Sequence, residues 1–172
     1  MRKALSTALA VLLVIIASAQ ERNFWTQIPE ARISKDLFAN RFKPAAYRIF
    51  QLREADLATA LRTVPSEKAV SAPASTFILS LPNEDGQMQR FRVVEAPVMH
   101  PLLAAKYPGI YSYAGQGIDD PTATVRFDYS PQGFHAMVLS TTKQTVYIDP
   151  VDRGDQYYVV FSRKDIGNYQ ST

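Results

Sequence analysis

From residue 46 onward, apolar and polar positions change places every second residue in one short run after another. That is the period of a half-buried strand. AYRIFQL (46–52) puts Tyr47, Ile49 and Gln51 on one face and Arg48, Phe50 and Leu52 on the other. TFILSLP (76–82) and QRFRVVEAP (89–97) flank the turn Asn83-Glu84-Asp85-Gly86 and predict a hairpin, with Phe91 and Val93 opposing Arg90 and Arg92. IYSYAGQG (110–117) reads as a strand expected to break at its glycines, and Ile118 to Pro121 as a turn. TATVRFDYS (122–130) sets Val125, Phe127 and Tyr129 against Thr124, Arg126 and Asp128, and FHAMVLS (134–140) pairs back through Pro131-Gln132-Gly133. TVYIDP (145–150) and QYYVVFSRK (156–164) complete the set, with a turn at 152–155.

Two segments read as helices. READLATALRT (53–63) spaces Leu57 and Leu61 one turn apart, with Glu54 and Asp56 near its start and Arg62 near its end, as the helix dipole prefers. Pro65 stops it. MHPLLAAKYPG (99–109), bounded by prolines, predicts one or two turns around Leu102, Leu103 and Ala105. Residues 64–75 read as a loop. Strands about every ten residues, with turns between, make an antiparallel meander that closes as a sandwich or curls on itself. The expected fold class is α+β, dominated by antiparallel β-sheet, with two short helices.

The amino terminus breaks this pattern. Arg2 and Lys3 precede an apolar stretch from Ala4 to Ala17, interrupted only by Ser6 and Thr7, and Ala17-Ser18-Ala19 has the A-x-A form of a cleavage site. This is a secretory signal peptide, cut between Ala19 and Gln20. The stretch is shorter than the ~18 residues a membrane span needs, and no second one follows, so no span is expected once the signal is removed. The chain is expected to be secreted or in the cell envelope. The layout is then a signal peptide at 1–19, an N-terminal arm at 20–45, one β-rich module at 46–166 and the start of a linker at 167–172. Phe24, Trp25, Phe38 and Phe42 are read as hooks that dock the arm on the core.

Composition narrows the chemistry. The 172 residues suit one domain with a short appendage. The net charge of +3 includes Arg2 and Lys3, so the processed chain carries +1, and no Lys/Arg-dominated window exists. Nucleic acid is therefore not an expected partner. There is no Cys, which excludes disulfides, thiolate catalysis, iron–sulfur clusters and Cys-containing zinc sites. The two histidines, His100 and His135, lie 35 residues apart and outside any H-E-x-x-H motif. G-x-S-x-G, P-loop and G-x-G-x-x-G patterns are absent too, so the chain is read as noncatalytic, with no cofactor of its own, and both histidines as structural.

Asp119-Asp120, after Gly115-x-Gly117, is the most prominent acidic pair. It reads either as carboxylates offered to a cation or as a turn fixed by Pro121, and the turn is favoured because a cation site needs more ligands nearby. Asp149 and Asp152 are read the same way. Arg153-Gly154-Asp155 spells an adhesion tripeptide but is explained by a turn. Tyr107, Tyr111, Tyr113, Tyr129, Tyr147, Tyr157 and Tyr158 are read as half-buried strand tyrosines before glycan-stacking platforms.

Several pieces in order carry a resemblance: E-A-P-V-M (95–99), Y-P-G-I-x-S-Y-x-G-x-G (107–117), D-D-P-x-A-T-x-R-F (119–127), G-F-H-A-M-V (133–138) and Y-I-D-P (147–150). FWTQIPE and RIFQLREADL upstream fit as well. The chain resembles the N-terminal pro-region of secreted bacterial zinc metalloproteases of the reprolysin (adamalysin-like, metzincin) type. The resemblance implies a noncatalytic pro-domain that helps its protease fold and keeps it latent. Its partner would be the cognate catalytic domain in cis, and zinc is expected only there. This chain lacks that domain, so it is read as a fragment of a longer precursor. Without Cys, a latency ligand to the downstream zinc would be a carboxylate, with Asp119 and Asp120 as the candidates; steric cover of the cleft is the alternative. The competing reading is a secreted β-module that binds a glycan or a protein.

Overall fold

Asn83 accepts backbone N–H bonds from Asp85 (3.0 Å) and Gln87 (2.8 Å), and Gly86 takes the left-handed conformation (φ +88°) that reverses the chain. This turn joins β4 (Ile78–Pro82) to β5 (Met88–Glu95). The meander continues through β6 (Tyr111–Gly117), β7 (Thr124–Ser130), β8 (Gly133–Leu139), β9 (Val146–Pro150) and β10 (Tyr157–Ser162), each antiparallel to the one before. β3 (Arg48–Leu52) then pairs with β10, and β2 (Trp25–Ile28) with β3. β1 (Glu21–Arg22) lies parallel to β4 at the other edge. The protein is described by a computed structural model over residues 21–33, 43–151 and 156–166.

The ten strands of the described residues belong to one sheet, in the order β1-β4-β5-β6-β7-β8-β9-β10-β3-β2. Its edges, β1 and β2, are separated by only Asn23 and Phe24 in the chain. Three peptide steps of 3.8 Å hold those edges within about 11 Å. The sheet therefore curls until it is nearly closed, and closure by two separate packed sheets is not what forms. The fold is α+β and β-dominated, with two α-helices among the described residues, as the sequence implied.

The face turned inward carries Leu79, Phe91, Val93, Val125, Phe127, Phe134, Ile148, Tyr158, Val160 and Phe50, all buried. Burying each large side chain contributes roughly 1.5–3 kcal/mol. Trp25 stands edge-on to Phe134 and Tyr158, with ring centroids at 5.4 and 5.3 Å, and Tyr113 stacks on Phe127 at 4.8 Å. Helix α1 (Glu54–Leu61) drives Leu57 and Leu61 into the same core and covers one end of the curl. Outside, Ile49, Val151, Val159 and Phe161 form a smaller apolar cluster.

Antiparallel alternation sorts the connections into two groups. At the helix end lie α1, the β5–β6 connection and the β7–β8 turn; Gly109 of the β5–β6 connection faces Pro131 of the β7–β8 turn. At the opposite end lie the β4–β5 turn and the β6–β7 and β8–β9 loops, where Ser140 reaches Asp120.

Two features differ from expectation. β6 does not break at its glycines. A Cβ at Gly115 would lie 2.7 Å from Val125 Cγ1, and one at Gly117 2.2 Å from the carbonyl oxygen of Asp120, so these glycines let the strand pass through a crowded wall. The aperiodic stretch before residue 46 supplies two strands to the sheet, while Trp25, buried in the core, and Phe24, packed against it, dock the stretch as expected. The signal peptide with its Ala19/Gln20 cut, Phe38, Phe42, Asp152, the Arg153-Gly154-Asp155 tripeptide and the linker at 167–172 lie outside the described residues. Among the described residues no helix is long and apolar enough to cross a membrane.

Candidate functional site

The Asp119-Asp120 loop is held from within the chain. Asp119 accepts from the Arg90 guanidinium (Nη2 2.5 Å, Nε 3.0 Å) and from the Arg90 backbone N–H at 2.8 Å. The Arg90 bonds hold its carboxyl below the ordinary value. Asp120 accepts from the Thr122 hydroxyl (2.6 Å), the Thr122 N–H (2.9 Å) and the Ser140 hydroxyl (2.8 Å). Those bonds, Thr122 first, lower its pKa to about 2. The bond that the Thr122 N–H donates to the Asp120 carboxylate two residues back is the turn chemistry that the sequence favoured. Among the described residues no group of three acidic or histidine side chains is placed to hold a metal ion.

Both histidines have structural contacts. His100 precedes helix α2 (Pro101–Lys106), and its Nδ1 accepts the Leu102 N–H at 3.3 Å. His135, mid-strand on β8, lies 3.0 Å from Asp149 on β9 and directly across from Asp128 on β7. The Asp149 bond, and then the charges of Asp149 and Asp128, raise its pKa against the opposing effect of burial. A groove of about 350 Å³ runs over this row on the outer face and is bounded at one side by Val98.

The tyrosines do not form one exposed row. Tyr158 and Tyr113 are buried inside the curl, Tyr129, Tyr147 and Tyr157 are half-buried, and Tyr107 and Tyr111 are exposed.

The feature that sequence reasoning missed is the β5–β6 connection. Of the eight large apolar side chains that the described residues leave exposed, five fall within it, Val98, Leu102, Leu103, Tyr107 and Ile110, and a sixth, Tyr111, opens β6 at its end. Val98 and Leu102 are each 74% exposed, and α2 buries none of its residues. The sequence carries no clear signal for it, because Leu102 and Leu103 read as the apolar positions of a short helix. The backbone here is braced rather than loose. Pro97, Pro101 and Pro108 restrict it, Gly109 turns it with φ +96°, and Ala96 N–H bonds to Ser112 C=O at 2.9 Å across its base. The result is an apolar corner standing at the helix end.

Beside the corner, a cleft of about 360 Å³ opens between α1 and strands β5 to β7. It shares Tyr111 and Glu95 with the hollow beneath α2.

No protein-family model, no curated protein and no solved structure matches the chain.

Proposed function

We propose that this chain is the noncatalytic pro-domain of an exported zinc metalloendopeptidase, which binds the catalytic domain of its own precursor, helps it fold and covers its cleft until it is removed. The observation that carries this reading is the apolar corner from Val98 to Tyr111. Large apolar side chains gathered on a rigid protrusion are a protein-contact feature, because their solvation cost is relieved only when a partner covers them. The resemblance of segments 95–99, 107–117 and 119–127 to reprolysin-type pro-regions names the partner. Zinc belongs to that partner.

Latency in this account is steric. Asp119 and Asp120 would have to give up the Arg90, Thr122 and Ser140 bonds to ligate a metal. They also sit at the other end of the strands from the corner, about 20 Å away at 3.3 Å per residue. A contact centred on the corner therefore leaves them far from the covered cleft. A secreted protein-binding module independent of any protease is the second reading, favoured by the tyrosine-lined cleft between α1 and β5–β7.

The coding sequence past codon 172 tests the proposal. An in-frame H-E-x-x-H-x-x-G-x-x-H motif supports it. A stop codon directly after Thr172 overturns it in favour of the independent module.

A further inference from the structure

The cleft between α1 and β5–β7 has an aliphatic floor and polar walls whose side chains no described residue hydrogen-bonds. Ala58, Leu61 and Val64 make the floor. The floor is fixed, because Glu95 N–H bonds to Pro65 C=O and Glu67 N–H to Glu95 C=O, both at 2.9 Å, pinning the segment after α1 to β5. Tyr111, Tyr113 and Tyr129 form the walls, and Arg62 and Glu95 stand at the rim. None of these five polar side chains makes a hydrogen bond or ion pair with a described residue. Tyr113 is only 4% exposed, and its hydroxyl makes no hydrogen bond with a described residue. Burial, then Glu95 and Tyr111, push its pKa far upward, so the hydroxyl stays a donor throughout the physiological range. These five polar side chains all line the open cleft.

We propose that this cleft receives one aromatic side chain of the partner protein together with the peptide amide beside it. The ring lies on Leu61 and Val64 between the tyrosines. Glu95 accepts the amide N–H, and Arg62 donates to the neighbouring C=O. The charge pattern selects this occupant. One carboxylate and one guanidinium match a neutral amide, which offers a donor and an acceptor, better than they match an anion or a cation alone. The floor argues against a sugar, whose ring hydroxyls would be buried against aliphatic carbon without partners. The partner's identity rests on the pro-domain reading above; the chemistry of the cleft does not.

The probe is N-acetyl-L-phenylalaninamide, titrated into the ¹⁵N-labelled chain from residue 20 onward, which retains every described residue, and followed by amide NMR. A fragment of this size is expected to bind with a dissociation constant on the order of 1 mM. Its shifts should be saturable and centred on Leu61, Val64, Glu95, Tyr111 and Tyr129. Ala58→Phe fills the cavity from α1 and should weaken binding about tenfold or more. Glu95→Gln keeps the shape of the rim and should weaken it severalfold, which keeps the test sharp even if the first variant fails to fold. Absence of saturable shifts in the wild type overturns the proposal. So does undiminished binding in either variant, or tighter binding of N-acetylglucosamine at the same residues. Binding of the probe with a stop codon after Thr172 would retain the cleft and remove only the protease as its partner.

Discussion

Tyr158 and Glu54, 104 residues apart in sequence, meet inside the curled sheet: the Tyr158 hydroxyl donates to Glu54 Oε1 at 2.5 Å and accepts the Phe134 N–H at 3.2 Å. Tyr158 lies mid-sheet on β10 and Glu54 opens α1, so this contact seats the helix on the end of the core. Tyr158→Phe leaves a buried N–H and a carboxylate oxygen without their partner and should destabilise the fold by about 1–3 kcal/mol. Thermal denaturation checks this, with an expected drop in Tm of several degrees. An unchanged Tm would show that α1 is held by Leu57 and Leu61 alone.

The wall glycines should be intolerant of even one carbon. Gly115→Ala brings a methyl group to 2.7 Å from Val125 Cγ1 and 3.2 Å from the Arg92 carbonyl oxygen. Overpacking of this kind costs about 1–3 kcal/mol. Urea denaturation should show the midpoint falling with little change in slope.

Substitution at two leucines should separate the core from the corner. Leu57 is fully buried, and Leu57→Ala should cost about 2–5 kcal/mol. Leu102 is largely exposed, and Leu102→Asp should leave stability within ~0.5 kcal/mol. Equal destabilisation by both substitutions would mean that α2 packs on the core, and the docking account would then fail.

The pH dependence has two limbs with different causes. His135 has a folded pKa raised above its ordinary value. Its contribution is fully present below about pH 6.5 and is lost as pH rises through the folded pKa. The His135–Asp149 pair is partly exposed, with side chains 39% and 42% accessible, so after solvent screening it contributes no more than ~0.5 kcal/mol. Asp119 and Asp120 are lowered instead. Their contribution is present above about pH 4 and is lost as pH falls toward the Asp120 value of about 2. Denaturation across pH 2–9 with His135→Asn and Asp120→Asn checks both limbs: the first variant should flatten the upper limb only, and the second the lower limb only.

The alternation from Ile78 to Ser162 made the meander legible, because each strand buries one face and a period of two survives in the sequence. The closure was not legible, because it depends on β1 and β2, which have two and four residues and are too short to show any period. The strand through Gly115 and Gly117 was misread because glycine marks breaks and close approaches alike, and only the neighbouring Val125 and Asp120 decide between them. The turn chemistry of Asp120 was readable from Asp-Pro-Thr, whereas the Arg90 clamp on Asp119 joins residues 29 apart and needed the fold. The apolar corner was hidden because Leu102 and Leu103 look like core in any composition count. Their exposure follows only once α2 is seen to stand off the sheet.

The most direct test is the peptidase activity of the catalytic domain that the account places in the same precursor, measured with the chain added in trans. The wild-type chain should suppress turnover at least tenfold at micromolar concentration, and the double variant Leu102→Asp/Leu103→Asp, equally stable, should fail to do so. Suppression that is absent with the wild type, or just as strong with the double variant, would contradict an apolar corner that covers the protease.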